Sequence, residues 1–600
     1  MQIRTADYIA QRIRAWGVDT VFMLSGGGMM HLVDSVGRAD GLRVICNHHE
    51  QCSAIAADAR ARLLGCISVC YATSGPGATN ILTGLVGAWQ DSSPVLFLTG
   101  QSKLTQTIQG SSIAGLRQFG TFEVDIVPIV KSVTKYVVMV TDPKTIRYHL
   151  EKAFHFATTG RPGPVLLDLP LDVQGALVEM DDMRAYIPDE TENKETPCSQ
   201  ELLVKVVDIL RRAKRPLILS GVGVRAAGAV DVFRRLIDHM NIPVITSQLG
   251  KDALYYDHPL FVGHSGPKGD RAGNFAVQTA DVILSLGCSL HAQTTGWENS
   301  LFAPDAIKIQ VDIDEAVLAR EQVNVAIKVK CDVKNFLLGI EPLIESGLGS
   351  DVWRSHCLSW KKRFAVSREP HVRSSNFINY YDFVEELSCV LTGNECVVAD
   401  AGSSFYVMGQ GFRVKQNQRF ISSGSLGAMG FALPAANGIA SASKSATICV
   451  TGDGSLMTNI HELAVTKHQN LNVKLFVMNN DGYLSIRNTQ RDFFNGLLVG
   501  SDTSSGVFIP ELESQAKTYH LPFLRCDSPS NMKSVINHAL SIDGPVLVEV
   551  KVLRDQNLIP SVMSERLPDG RMRSKPLHEM FPYLPQDQVE VELDKAINVI

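Results

Sequence analysis

Short apolar runs alternate with helical patterns along most of the chain. The runs at 67–72, 94–99, 165–169, 216–220, 282–286, 446–450 and 473–478 read as buried strands. Strands alternating with helices predict an α/β fold built on parallel sheets. The first residues, MQIRTADYIAQRIRAW, repeat Ile9, Ile13 and Trp16 on one face of an amphipathic helix. Two stretches break the pattern. One is the polar, acidic segment 188–199 (PDETENKETPCS), and the other is 347–375, which also contains a helical pattern. They divide the chain into 1–180, 195–345 and 375–560, followed by a tail or lid at 561–600 rich in Pro, Arg and Glu. The first and third parts look alike, each pairing a Gly-rich turn with a following helix. The expected fold is therefore three doubly wound parallel-sheet domains, the central one Rossmann-like. No short solenoid-type repeat is present.

Composition narrows the function. With 600 residues, 45% of them hydrophobic and 20% charged, there is material for more than one core. A formal net charge of -5, with no Lys/Arg cluster among aromatics, gives no footprint for nucleic acid. The N-terminal stretch carries Asp7 and no apolar segment of signal-peptide type, and no apolar run is long enough to span a bilayer. The twelve cysteines form no CxxC pair. Cys66 and Cys70 sit on a strand-like run and read as buried thiols. The expected location is the cytoplasm.

The most specific chemistry lies in the third part. ATICVTGDGSLMTNIHELAVTKHQNLNVKLFVMNNDGY reads strand, turn, helix, strand. Gly452-Asp453-Gly454-Ser455 ends the first strand and Asn479-Asn480-Asp481-Gly482 ends the next. Carboxyl ends of neighbouring parallel strands share one edge, where ligands bind. A diphosphate there needs backbone N–H groups and a divalent cation, and Mg²⁺ takes a few hard oxygen ligands. Either turn alone is commonplace; the pair on successive strand ends carries the signal. There is no GxxxxGK[ST] phosphate loop.

The pair resembles the signature of thiamine-diphosphate enzymes, GDG followed by NN. The resemblance implies Mg²⁺ held by Asp453, Asn480 and the Gly482 carbonyl, with Gly452, Gly454 and Ser455 at the cofactor. NHHEQCSAIAADARARL resembles the family's second signature, and Glu50 would be its activating carboxylate, bonded to the cofactor's pyrimidine ring. Read from this stretch alone, Glu50 also suits the start of a helix. His48 and His49 invite a metal reading, but no HExxH follows and that reading is set aside.

Other segments follow in family order. YATSGPGATN places Gly75, Pro76, Gly77 and Asn80 against the pyrimidine; Gly402, Ser403 and Ser404 match a strand end at the diphosphate. SGSLGAMGF places the Gly427 carbonyl near the amino group and Met429 as a wedge beneath the cofactor. Tyr483 and Leu484, with Thr489 and Gln490, fall on the acceptor side. His31, in SGGGMMHLVD, would face the reacting carbon as acid–base or donor. The resemblance is to acetolactate-synthase-like enzymes, which usually carry Phe-Gln-Glu where GTFEVDIV stands here, with Phe122 in the Gln place and Gln118 upstream. In the central domain, Gly221-x-Gly223-x-x-Ala226, Arg161 and Lys268 match segments that bind FAD in those synthases, whereas their Arg-Phe-Asp-rich segment is replaced by GCSLHAQTTG. This leaves FAD open; a flavin there would be structural. The implied reaction cleaves or forms a carbon–carbon bond, with a 2-oxo acid such as pyruvate as donor and an aldehyde or ketone as acceptor. Acetolactate synthase proper and a diketone-cleaving hydrolase are the alternatives. A non-catalytic cofactor-binding protein is disfavoured because Glu50, Asp453 and Asn480 are all present. At least a homodimer is implied, with a homotetramer open, because in this family the pyrimidine and diphosphate domains of different subunits face each other. SERLPDGRMRSKPLHEMFPYLP would form a lid.

Overall fold

The structure, a computed structural model, describes residues 1–189, 197–344 and 347–598. It contains three six-stranded sheets, each wholly parallel, with helices on both faces. Such sheets are buried on both sides, which is why their central strands read as unbroken apolar runs. Val95–Gln101 and Val165–Pro170, for example, are buried along their whole length.

The first sheet orders its strands Arg43–Cys46, Thr20–Met23, Ser68–Ala72, Val95–Gln101, Val165–Pro170, Tyr136–Met139. The third orders Arg419–Ser422, Cys396–Ala399, Thr447–Gly452, Val473–Asn479, Val546–Lys551, Phe523–Cys526. Numbered within its own sheet, each reads 2-1-3-4-6-5, so the first and third domains share one topology. The central sheet runs Phe261–His264, Val244–Thr246, Pro216–Ser220, Val282–Leu286, Ile307–Asp312, Ile327–Lys330. That is 3-2-1-4-5-6, the strand order of dinucleotide-binding folds.

The helix Glu50–Leu64 joins the first domain to the third. Its middle is rich in alanine and fully buried. It packs on Ala432–Ala440 so closely that a Cβ on Gly438 would stand 2.2 Å from the Ala56 carbonyl oxygen. Gly84 meets the same helix from the other side, its Cβ position 2.4 Å from that of Ala54. Arg419 reinforces the seam by donating to the carbonyls of Leu63 and Arg62 and to the buried Asp252 of the central domain.

Residues 190–196 of the first expected linker lie outside the described residues. In the second, the helix Asp351–Arg363 is no linker: Trp353 and Trp360 are completely buried against the central sheet. The C-terminal segment is docked rather than loose. Ser561–Val562 pairs with Met580–Phe581, and Gln586–Asn598 lies on the central domain, where Glu592 accepts from Trp360 Nε1 at 2.8 Å and Arg363 Nη1 at 2.7 Å. Cys66, expected inside, is exposed just before its strand, whereas Cys70 is buried. No described helix is long and apolar enough to cross a membrane.

Candidate active site

Two half-sites are assembled at carboxyl ends of strands. In the third domain, Thr447–Gly452 and Val473–Asn479 are neighbours in register, which brings Asp453 to Asn480 across 27 positions. Asp453 Oδ1 accepts from Gly454 N at 2.7 Å, and Oδ2 from Asn480 N at 3.1 Å and Gly482 N at 3.0 Å. Burial outweighs these three bonds and pushes the carboxyl up to about 6. Beside it, the buried Asn480 Oδ1 has no hydrogen-bond partner. A carboxylate and an orphaned amide oxygen side by side suit a hard divalent cation. The glycines are structural necessities. At Gly482 (φ +116°) a Cβ would lie 2.5 Å from Ser501 O, and at Gly454 2.4 Å from the Tyr483 ring.

Asp400 holds the surrounding turns together. Its carboxylate accepts from Ser455 Oγ at 2.8 Å, Thr451 Oγ1 at 2.8 Å, Ala401 N at 2.8 Å and Ala432 N at 3.2 Å. Ser455 also accepts from Gly430 N at 2.9 Å, so its hydroxyl is engaged within the protein. Gly402, at φ +64°, opens the helix Ser403–Gly411 and directs the N–H groups of Ser403 and Ser404 outward at a helix start, a ready anion site. Gly427 (φ +70°) has open space around it, and Met429 is 41% exposed. Leu484 is buried at the start of Leu484–Phe493; Thr489 and Gln490 bond within their own helix and loop.

Sequence reasoning missed two residues here. Arg487 is buried and donates to the carbonyls of Asn480 at 2.7 Å and Asp481 at 2.9 Å, bracing the cation loop from behind. Ser485 Oγ is buried without a partner, 3.4 Å from where a Gly402 Cβ would stand. No motif marks either, since both act through a fold-dependent neighbour.

The other half-site is in the first domain. Glu50 is the first residue of its helix and only 5% exposed. Its Oε2 accepts from Asn80 Nδ2 at 2.9 Å, and its Oε1 lies 3.1 Å from a Cβ position on Gly77. Gly75, at φ +64°, turns the chain before Pro76, and the Phe122 carbonyl oxygen presses to 2.5 Å from its Cβ position. The turn ahead of Glu50 is held from the third domain. The buried Glu462 accepts from Asn47 Nδ2 at 2.7 Å and from His48 N at 2.9 Å. Gln118 is exposed and donates to Gly120 O of its own loop at 3.1 Å. The His31 ring packs on Gly175, with Nε2 2.8 Å from its Cβ position.

The central domain holds a crevice of about 990 Å³, open to solvent. It lies where the strand order reverses, between Pro216–Ser220 and Val282–Leu286. Gly223 and Gly287 meet there backbone to backbone, a Cβ on Gly223 falling 2.6 Å from Gly287 Cα. Gly221 packs on the same carbonyl, and Ala226, Cys288, His291 and Asp312 line the space. Arg161 reaches this crevice, donating to Ser92 Oγ at 2.8 Å and Asp314 Oδ2 at 2.7 Å. Lys268 does not; its ammonium stands 5.9 Å from the Tyr406 ring.

Twinned domains, one bearing a buried glutamate and the other a buried carboxylate between glycine turns, with a dinucleotide-type domain between them, are the architecture of a diphosphate-cofactor enzyme. Three family models match in order: the N-terminal TPP binding domain of thiamine pyrophosphate enzymes over 3–119, the central domain over 203–340 and the C-terminal TPP binding domain over 400–550. A probable acetolactate synthase large subunit of Methanocaldococcus jannaschii is 31% identical, covering 95% of this chain and 94% of its own. Acetolactate synthase isozyme 2 large subunit of Escherichia coli K12 is 30% identical over 96% and 99%. Chloroplastic acetolactate synthase 1 of Zea mays is 30% identical over 93% and 87%. The chain belongs to the thiamine-pyrophosphate-dependent enzymes of the acetolactate-synthase-like family.

Proposed function

We propose that this protein is a carbon–carbon lyase and carboligase that takes a 2-oxo acid such as pyruvate as donor and an aldehyde or ketone as acceptor. The observation that carries this reading is the pair of half-sites: a buried Glu50 oriented by Asn80, and the Asp453–Asn480 loop with its orphaned amide oxygen. Thiamine diphosphate, when bound, supplies a carbanion that adds to the donor carbonyl and stores the electrons released with carbon dioxide.

The protein's own residues bind and orient. Asp453, Asn480 Oδ1 and the Gly482 carbonyl would hold Mg²⁺, while the helix start at Ser403–Ser404 leaves backbone N–H groups for the diphosphate and the glycines at 452 and 454 keep the turn compact beside it. Glu50 would hold a proton at the pyrimidine nitrogen, with Gly75, Pro76 and Gly77 leaving room for the ring. Met429 would support the cofactor from below, and Tyr483 and Leu484 would border the acceptor. The site would be completed by a second copy, as a homodimer or a larger assembly. Phe493, Phe494, Leu497, Val499 and Phe508 on one half, and Ile113, Phe119 and Phe122 on the other, are each more than half exposed, apolar surface of the kind that self-association covers.

Phe122 in place of a Gln, and the stretch Tyr483–Phe494, favour an acceptor other than a second pyruvate, such as a diketone or keto sugar. The central crevice lies at a strand-order switch point of the kind suited to FAD in a structural role. Absorbance of the purified protein tests that directly, a colourless preparation refuting it. Carbon dioxide release from pyruvate, with thiamine diphosphate and Mg²⁺, should rise when the right acceptor is added. Absence of release with every acceptor would refute pyruvate as donor.

A further inference from the structure

A second cluster of metal-ligating side chains lies at the seam between the first and third domains, outside the oxygen set of the Asp453 loop. Cys52 is on the first turn of Glu50–Leu64, and His461 and Glu462 are on the turn Ile460–Glu462. Their ligand atoms all lie within 4.8 Å of one another. Cys52 and Glu462 are fully buried, and His461 is reachable from solvent at 35% exposure.

The distances suit one ion. A tetrahedral zinc with sulfur at about 2.3 Å and nitrogen at about 2.0 Å separates those two ligands by about 3.5 Å. Cys52 Sγ and His461 Nε2 stand 3.6 Å apart. His461 Nε2 and Glu462 Oε1 are 3.9 Å apart, a separation that a small rotation of either side chain closes. The carboxylate is already oriented. Each of its oxygens accepts one bond, from Asn47 Nδ2 and His48 N, and each keeps a second lone pair. The His49 ring stands 6.0 Å from the His461 ring, its Nδ1 accepting from Gln51 N, and the fourth coordination position is left for water. Sulfur with imidazole selects zinc, cobalt or copper over magnesium, the reverse of the preference of the Asp453 loop.

We propose that Cys52, His461 and Glu462 bind one divalent ion of the zinc class, clamping the turn that carries Glu50 onto the third domain. Without an ion, burial and the neighbouring Glu462 hold the Cys52 thiol well above its ordinary value. The ion replaces the thiol proton, which leaves to solvent, so one S–H bond breaks as one S–metal bond forms.

The site stands independently of the proposed reaction, and its test does not require turnover. The full-length protein, stripped with a chelator, is titrated with Co²⁺ in excess Mg²⁺. Thiolate-to-cobalt charge-transfer absorption should saturate near one equivalent per chain and be displaced by Zn²⁺. Cys52→Ala should abolish the band. His461→Gln, at a partly exposed position where folding is not at stake, should weaken Co²⁺ binding by about 10–100-fold. No band in the wild type, or a band that persists at full strength in both variants, would overturn the assignment.

Discussion

Replacing Glu50 by Gln separates chemistry from folding. The side chain is 5% exposed and holds one hydrogen bond, from Asn80 Nδ2 at 2.9 Å. A glutamine is the same size, and its amide oxygen can accept that bond. What is lost is the charge assistance, about 1 kcal/mol of stability. The chemical loss is far larger, because an amide cannot exchange a proton with the pyrimidine nitrogen. Proton transfer by a positioned group contributes about 10²–10⁴ in rate, which corresponds to about 3–5 kcal/mol of barrier. The assay is 2-oxo acid consumption at saturating thiamine diphosphate and Mg²⁺, with cofactor affinity measured separately by calorimetry. Turnover should fall at least a hundredfold while the unfolding midpoint barely moves. Asn80→Ala, which keeps the carboxyl but removes its donor, should cost about tenfold. A Glu50→Gln enzyme within about tenfold of wild type, cofactor bound, would refute the role given to Glu50.

Three further outcomes are expected. Asn480→Ala removes the orphaned amide oxygen and should raise the Mg²⁺ concentration needed for half-maximal cofactor binding by about 10–100-fold, read by calorimetry. Arg271→Met leaves Glu369 buried without the two bonds it accepts at 2.6 and 3.0 Å, and frees the carbonyls of Met580 and Pro582; the central domain should lose about 3–5 kcal/mol in denaturant unfolding. Asp168 is wholly buried, and burial outweighs the bonds from Thr99 and Gln101 and pushes its carboxyl up to about 7. Because that lies above the unfolded value, its stability contribution is complete below about pH 4 and is lost as pH rises through about 7. Asp168→Asn does not titrate, so thermal midpoints against pH should converge with wild type in acid and exceed it near pH 8 by up to about 4 kcal/mol, less about 1 kcal/mol for the Gln101 bond. Parallel profiles would show that the carboxyl does not carry this charge cost.

How much was legible follows from where each signal resides. The central strands of each sheet are covered on both faces, so their apolar runs stand out in sequence. Edge strands such as Arg43–Cys46 and Tyr136–Met139 are only partly buried and short, so their runs stand out less. The turns at 452–455 and 479–482 were legible as turns because both need glycine for backbone reasons. Arg487 and Glu462 were not legible, because a buried charge is recognised by its partners, and these include Asp555 for Arg487 and Asn47 for Glu462, far off in the chain. Gln118 carries no local signal of its own, because its side chain bonds only to the carbonyl of Gly120 in its own loop. The 347–375 stretch looked like a linker because its helix is polar on one side, but the other side buries two tryptophans.

The sequence by itself determined the α/β class, the cofactor-type turns at 452–455 and 479–482 and the carboxylate at 50, since each rests on local rules of backbone geometry and periodicity. Only the tertiary structure decided the strand orders, and with them the common topology of the outer domains and the switch-point crevice of the central one. It also decided that Cys52, His461 and Glu462 share one small volume. Strand order and such meetings depend on contacts between residues far apart in the chain, which no window of sequence contains.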